Sequence, residues 1–292
     1  MPPGKEPSRL RPQAGADDEY AIRDPLPAAP IAPEPDLRRY EPIATWEPPP
    51  PPPRFPFIVG VVDFPFYLKT MPVWLFLSMS WIAGFLSVMG ALWLAENGDP
   101  MIVARFIMPV VSLIFFATGA FTAACMVATL EHTANGYDVV DEWPRGEFRE
   151  WLVMFGTLFM PLVAAMLAAT AVKWITPGGP WLPGLVAAFL TYPIFALSAF
   201  DNGSMMAVIS GQILRSLGVV WWAWGLLYVV SGVLLVPVMA IPALLFTEEP
   251  WLTALLTGPL LAAWLLIYAR LLGRVAWCYS ERAGDGKEDD TD

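Results

Sequence analysis

The sequence predicts an all-α fold, a polytopic membrane bundle of six transmembrane helices arranged in three hairpins, with interfacial amphipathic helices beside them. Six stretches, residues 72–95, 106–130, 151–172, 181–200, 219–246 and 251–269, contain no charged side chain. At about 1.5 Å per residue, a helix of roughly 20 residues crosses the 30 Å of bilayer hydrocarbon. Composition agrees: 56% of residues are hydrophobic and only 15% charged, and the mean hydropathy is +0.53. A water-soluble domain of this size keeps far more charge on its surface.

The chain opens on an arm, residues 1–56, that carries acids, bases and an unbroken proline run at residues 48–53 instead of a short apolar core. No cleavable signal is expected there, so the first span must direct insertion. Too little apolar surface is present to offset chain entropy, which predicts disorder, with the prolines stiffening a spacer toward polyproline II. Residues 57–68 are apolar but short and interrupted by Asp63 and Pro65, a pattern that suits the headgroup layer. The membrane domain is expected over residues 57–275, followed by a disordered acidic tail over 276–292.

Three tight connections divide the spans into pairs: Asn97-Gly98-Asp99-Pro100, Thr176-Pro177-Gly178-Gly179-Pro180 and Thr247-Glu248-Glu249-Pro250. Each ends in a proline where the next helix begins, a position where the missing N–H costs nothing. The shared pattern is either an internal repeat or common turn chemistry. Basic residues set the orientation, because Lys and Arg near span ends stay in the cytoplasm. Arg54, Lys69, Arg145, Arg149, Arg215, Arg270, Arg274 and Arg282 fall on one side of the bundle, against Arg105 and Lys173 on the other. Both termini are therefore expected inside a cytoplasmic membrane.

Within the spans, Pro109, Pro161, Pro193, Pro237, Pro242 and Pro259 predict kinks, and Pro237 with Pro242 mark the fifth span as the one to break. Trp74, Trp151, Trp181, Trp251 and Trp277 lie near span ends, the position of interfacial anchors. Ala164 with Ala168, Ala165 with Ala169, and Gly119 with Ala123 are four apart, so each pair lets a neighbouring helix approach. Such faces also suit self-association. Hydroxyls such as Thr118, Thr122, Thr191 and Ser231 are expected to bond back to the preceding turn.

Polar chemistry concentrates in two connections. Residues 131–150 hold Glu131, His132, Asp138, Asp141, Glu142, Arg145, Glu147, Arg149 and Glu150, with Asn135-Gly136 reading as a turn and residues 144–151 leading amphipathically into the third span. Residues 201–218 read as a capped surface helix in which Asp201 and Arg215 are placed to pair. Glu131, His132 and Asp138 imitate part of a metal site, but a single histidine among scattered carboxylates is the composition of a solvated acidic loop. Two cysteines, Cys125 and Cys278, argue against a disulfide framework. Charged side chains inside the spans, the mark of many ion-coupled transporters, are missing from all six stretches.

Asn135-Gly136-Tyr137-Asp138 followed by Trp143-Pro144 and Trp151, and Asn202-Gly203-Ser204 with Leu214-Arg215-Ser216-Leu217, resemble segments of uncharacterised multi-pass bacterial membrane proteins. The resemblance covers two loops and the helices between them, and it implies a fold without implying a site. The functional expectation is a noncatalytic membrane scaffold that engages a protein partner through the arm or the cytoplasmic loops. A permease for a neutral or lipophilic substrate is the alternative. An enzyme would need Asp138, Asp141, Glu142 or His132 to meet in one cleft. No catalytic residue, cofactor, metal or nucleic-acid partner is expected; the bilayer is.

Overall fold

A computed structural model describes residues 57–145, 147–175, 181–246 and 249–288, with residues 283–288 described by backbone alone. The arm over residues 1–56, residue 146, the second tight connection over residues 176–180, residues 247–248 of the third, and the last four residues of the tail lie outside the described residues. Six helices are long and apolar enough to cross a membrane. In chain order they are α1 (Met71–Asn97), α2 (Pro100–Ala134), α3 (Phe148–Ile175), α4 (Leu182–Asp201), α6 (Trp221–Leu245) and α7 (Pro250–Glu288). A shorter amphipathic helix, α5 (Gly211–Val219), precedes α6 and buries Ile213 and Ser216 while exposing Gln212, Leu214 and Arg215. Its N-cap is Ser210, whose Oγ accepts the Gln212 N–H at 3.1 Å.

The bundle is organised around α7. It packs against α1, α2 and α6 along its length and touches α4 and α5, and α1 packs more extensively on α7 than on its chain neighbour α2. The best membrane-spanning windows of α2 and α7 are each 50% buried inside the protein, whereas those of the other four are 17 to 33% buried. α2 and α7 therefore form the interior, and the rest present most of their surface to lipid. That surface is apolar, with Leu75, Phe106, Leu113, Leu167, Val229, Val233 and Val236 all exposed. In lipid such faces carry no hydrophobic penalty, so close packing holds the helices together.

Two glycines on α7 permit the closest approaches. A Cβ on Gly258 would stand 2.6 Å from Ile82 Cγ1 and 3.1 Å from the Ser78 carbonyl oxygen of α1. A Cβ on Gly273 would stand 2.7 Å from the Leu130 carbonyl oxygen and 2.7 Å from Thr133 Cβ of α2. The α3–α4 pair uses the small residues read from sequence: Ala165 and Ala169 are 0% and 2% exposed, and a Cβ on Gly184 would meet the Ala169 carbonyl oxygen at 2.9 Å. Most span hydroxyls bond back as expected, with Ser78, Thr122, Thr129, Thr170, Thr191 and Ser231 donating to the carbonyl four residues earlier; Ser198, expected to do the same, is buried without a partner among the described residues.

Several expectations are corrected. α6 runs unbroken through Pro237 and Pro242; unwinding in lipid would strand more backbone groups than the prolines themselves free. At Pro109 the strain is instead taken up just ahead of the proline, where Val103–Ile107 forms a π-turn within α2. Residues 57–68 do not simply float in the headgroup layer: Phe57, Val61 and Phe64 are 1%, 0% and 0% exposed and enter the bundle core. Their spacing aligns three apolar side chains on one side of a run of turns. Of the tryptophans, Trp181 and Trp251 are exposed near their helix starts as anchors should be. Trp277 is buried, and Trp74 donates its indole N–H to the Pro259 carbonyl at 3.1 Å. Beyond residue 276, where the sequence suggested a tail, α7 continues to Glu288.

The glycine contacts predict a matched result. Gly273→Ala and Gly258→Ala force helices apart and should each destabilise the protein by about 1–3 kcal/mol. Gly90→Ala, with nothing within 4 Å of the added Cβ, should be neutral or stabilising. Thermal unfolding midpoints of the purified variants in detergent check the contrast.

Candidate functional site at the loop end

At the end of the bundle that holds the 135–147 loop, α7 carries Arg270 and Arg274, 0% and 1% exposed. Four residues apart on one helix, they share a face. A guanidinium stays protonated even when buried, so two cations are enclosed here. Asp138 answers both. Arg270 donates Nη1–H to the Asp138 carbonyl oxygen at 2.7 Å and Nη2–H to its Oδ1 at 2.8 Å. Arg274 donates Nη2–H to the same Oδ1. One carboxylate against two guanidiniums leaves a net positive charge, which ring faces help to balance. The Arg270 guanidinium lies 4.5 Å from the centre of the Phe64 ring and 6.0 Å from that of Tyr67. Arg274 lies 5.3 Å from the Trp277 ring centre. The Nε–H of each arginine is buried without a partner among the described residues.

The local sequence explains how Asp138 reaches α7. α2 ends on Asn135-Gly136, where Gly136 has a φ of +82°. The Gly136 N–H donates to the Thr133 carbonyl and the Tyr137 N–H to the His132 carbonyl, the paired bonds of a glycine-terminated helix end. This reversal turns Tyr137 and Asp138 back across the bundle. Val140, 1% exposed, then plugs into a cluster with Phe64, Leu77, Cys125 and Leu266. Asp141 pairs with Lys69 at 2.6 Å, and Trp143 donates its indole N–H to the Lys69 carbonyl at 3.1 Å. On the other side of Arg270 stands Gly60, with a φ of +72°; a Cβ there would be 2.7 Å from the Tyr67 hydroxyl oxygen. The arginine pair thus fastens the pre-span segment and the loop to α7.

The remaining candidates divide, with His132 and Glu142 at one hollow and Asp138 and Asp141 elsewhere. His132 Nδ1 lies 2.9 Å from the Ala128 carbonyl oxygen of its own helix. With Glu131, Glu142 and Glu150 it borders a shallow surface hollow, away from the clamp that holds Asp138. Among the described residues no group of three His, Cys, Asp or Glu side chains is placed to hold a metal ion. Asp201 and Arg215 do not pair: the Asp201 carboxylate accepts from the Ser210 hydroxyl at the start of α5, and Arg215 faces outward. α3 begins at Phe148, not at Pro144 as expected. At the C-terminal side, Arg282 donates to the Val219 carbonyl at 2.7 Å and lies over the Trp222 ring at 5.8 Å.

Sequence reasoning counted Arg270 and Arg274 as positive charges near a span end and missed their burial. The signal was present: Leu271, Leu272, Val275, Trp277 and Cys278 continue the apolar character of the last span past both arginines. Six long apolar helices make this a multi-pass membrane protein. No family model, curated protein or solved structure matches the chain.

Removing the shared carboxylate should expose the cost of the pair. Asp138→Asn leaves two buried guanidiniums without a counter-ion and is expected to destabilise by about 3 kcal/mol, the lower end of the usual range for a broken buried pair, because the Asp138 side chain is itself 45% exposed. The readout is the thermal unfolding midpoint in detergent. The outer fastening is pH-dependent: hydrogen bonding and charge from Lys69 hold the Asp141 carboxyl below its ordinary value. A depressed carboxylate stabilises fully above its unfolded pKa of about 4 and loses that contribution as pH falls further. Proteolysis of the 141–147 loop should therefore accelerate below about pH 4, and Asp141→Asn should remove this dependence.

Proposed function

We propose that the chain is a noncatalytic membrane scaffold whose loop end faces the cytoplasm and engages a protein partner. The observation that carries this reading is the commitment of charged groups to fastening. Asp138, Asp141, Lys69, Arg270, Arg274 and Arg282 each hold one segment to another. An enzyme built on Asp138 and Asp141 would keep both carboxylates free in one cleft, whereas the arginine pair engages Asp138 and Lys69 engages Asp141. What the fastened loop presents outward is a rim acidic on balance, with exposed Glu131, Glu142, Glu147 and Glu150 against Arg145 and Arg149, and with exposed Tyr137, Val139 and Phe148 among them. Beside it a cleft of about 550 Å3 opens between α2, α4, α5 and α7, with Leu130, Leu197 and Val275 as floor and Asp201 and Gln212 at its polar edge. A helix with an apolar face and basic flanks fits this chemistry. Placing both termini on the same side follows from the basic-residue tally.

The test is photo-crosslinking in native membranes from a probe at Gln212 or Tyr137, with a probe at outward-facing Trp174 on the opposite end as control. A discrete adduct from the first two positions, weakened at least fivefold by reversing Glu142 and Glu147 to Lys, is expected. Identical adducts from all three positions sink the reading. A permease for a neutral or lipophilic substrate is the second reading, favoured by a cavity in the membrane layer between α1–α4 and α7. Solute flux in vesicles containing the purified protein distinguishes it.

A further inference from the structure

That cavity, of about 260 Å3, lies between α1–α4 and α7, and no residue of the arginine clamp lines it. No charged residue lines it, so its occupant is neutral. Two of its polar side chains are satisfied: the Trp264 indole N–H donates to the Ser231 carbonyl at 3.0 Å, and the Thr122 hydroxyl to the Thr118 carbonyl at 2.7 Å. Three are not. Trp81 contributes a buried indole N–H with no acceptor. Tyr192 and Tyr268 also line the cavity, and neither hydroxyl has a hydrogen-bond partner among the described residues, although Tyr268 is only 2% exposed. The neighbouring Tyr228 hydroxyl, by contrast, donates to the Leu190 carbonyl at 2.7 Å.

Unpartnered donors are costly anywhere in a protein interior and more so in a membrane, where no bulk water supplies an acceptor. The buried Trp81 N–H and the two tyrosine hydroxyls lining the cavity leave hydrogen-bonding capacity for a guest that carries acceptors. Water can meet these groups, so a guest must replace its hydrogen bonds as well as fill the apolar space. The walls also describe a shape. Trp264 stacks on Tyr268 with ring centres 5.2 Å apart and planes 21° from parallel, and Tyr192 continues the stack at 5.9 Å and 21°. Flat ring faces accept a flat guest. Phe159 and Leu162, 40% and 44% exposed, stand at the lipid-facing side, so a tail longer than the cavity can extend into the bilayer.

We propose that this cavity binds the head of a neutral, flat, carbonyl-bearing lipid-phase molecule of the quinone class, with its oxygens accepting from Tyr192, Tyr268 and Trp81. The site is independent of the loop-end reading and stands or falls separately from it. No chemical step is implied; the chain supplies donors and ring faces.

The experiment titrates the purified full-length protein in lipid nanodiscs with a short-chain alkyl benzoquinone and, as control, an alkylbenzene of the same tail length, counting bound molecules by native mass spectrometry. The quinone should bind saturably and at least tenfold more tightly than the alkylbenzene. Tyr192→Phe with Tyr268→Phe should weaken quinone binding about tenfold. Because these hydroxyls bond no other described residue, the double variant should unfold at the same temperature as the parent or higher, which separates lost binding from lost structure. Binding of the two probes with equal affinity, quinone affinity unchanged in the double variant, or no saturable binding at all would overturn the assignment.

Discussion

Two guanidiniums sharing one carboxylate at the end of a membrane helix form the constraint on which the loop end depends. Burying even one unpaired charge costs several kcal/mol, so Arg270 and Arg274 are tolerable only while Asp138 is held against them. Asp138 is not on a helix. Its position is imposed by the reversal at Gly136, by Val140 seated in the core, and by the Asp141–Lys69 and Trp143–Lys69 contacts just beyond. The loop is ordered because the arginines need it, and the arginines can be buried because the loop is ordered. Phe64 and Tyr67 bring the pre-span segment into the same arrangement through the face of the Arg270 guanidinium.

The same helix supplies both the clamp and the centre of the bundle. α7 meets α1 and α2 at Gly258 and Gly273, where close backbone approach substitutes for the hydrophobic drive that lipid does not provide. Between these two glycines lie Trp264 and Tyr268, which line the mid-membrane cavity. Tight contacts at Gly258 and Gly273 thus bracket a stretch that packs less completely.

Much of the helix layer was legible in advance because lipid imposes a simple rule: every backbone polar group in the hydrocarbon must be satisfied within its own segment. Uncharged runs therefore map onto helices, and Asn135-Gly136 onto a helix end. The Ala165 and Ala169 face likewise found its partner in α4. The fastening site was far less legible. Counting Arg270 and Arg274 as positive charges near a span end was sound by the orientation rule, yet that rule records only which side of the membrane a residue occupies. It says nothing of whether the side chain points to water or into the protein. Asp138 looked like one acid among many, since its partners lie 132 and 136 residues away in the chain.

By itself the sequence determined that this chain is a six-helix membrane protein with its polar chemistry gathered into two connections, because hydropathy and turn residues act locally and need no knowledge of neighbours. Tertiary structure alone decided that α7 is the hub, that residues 57–68 enter the core, and that three donors ring an apolar cavity. Those outcomes depend on which faces meet across distant segments, and helix contacts in lipid are chosen by shape and hydrogen bonding, quantities that no single stretch of residues carries.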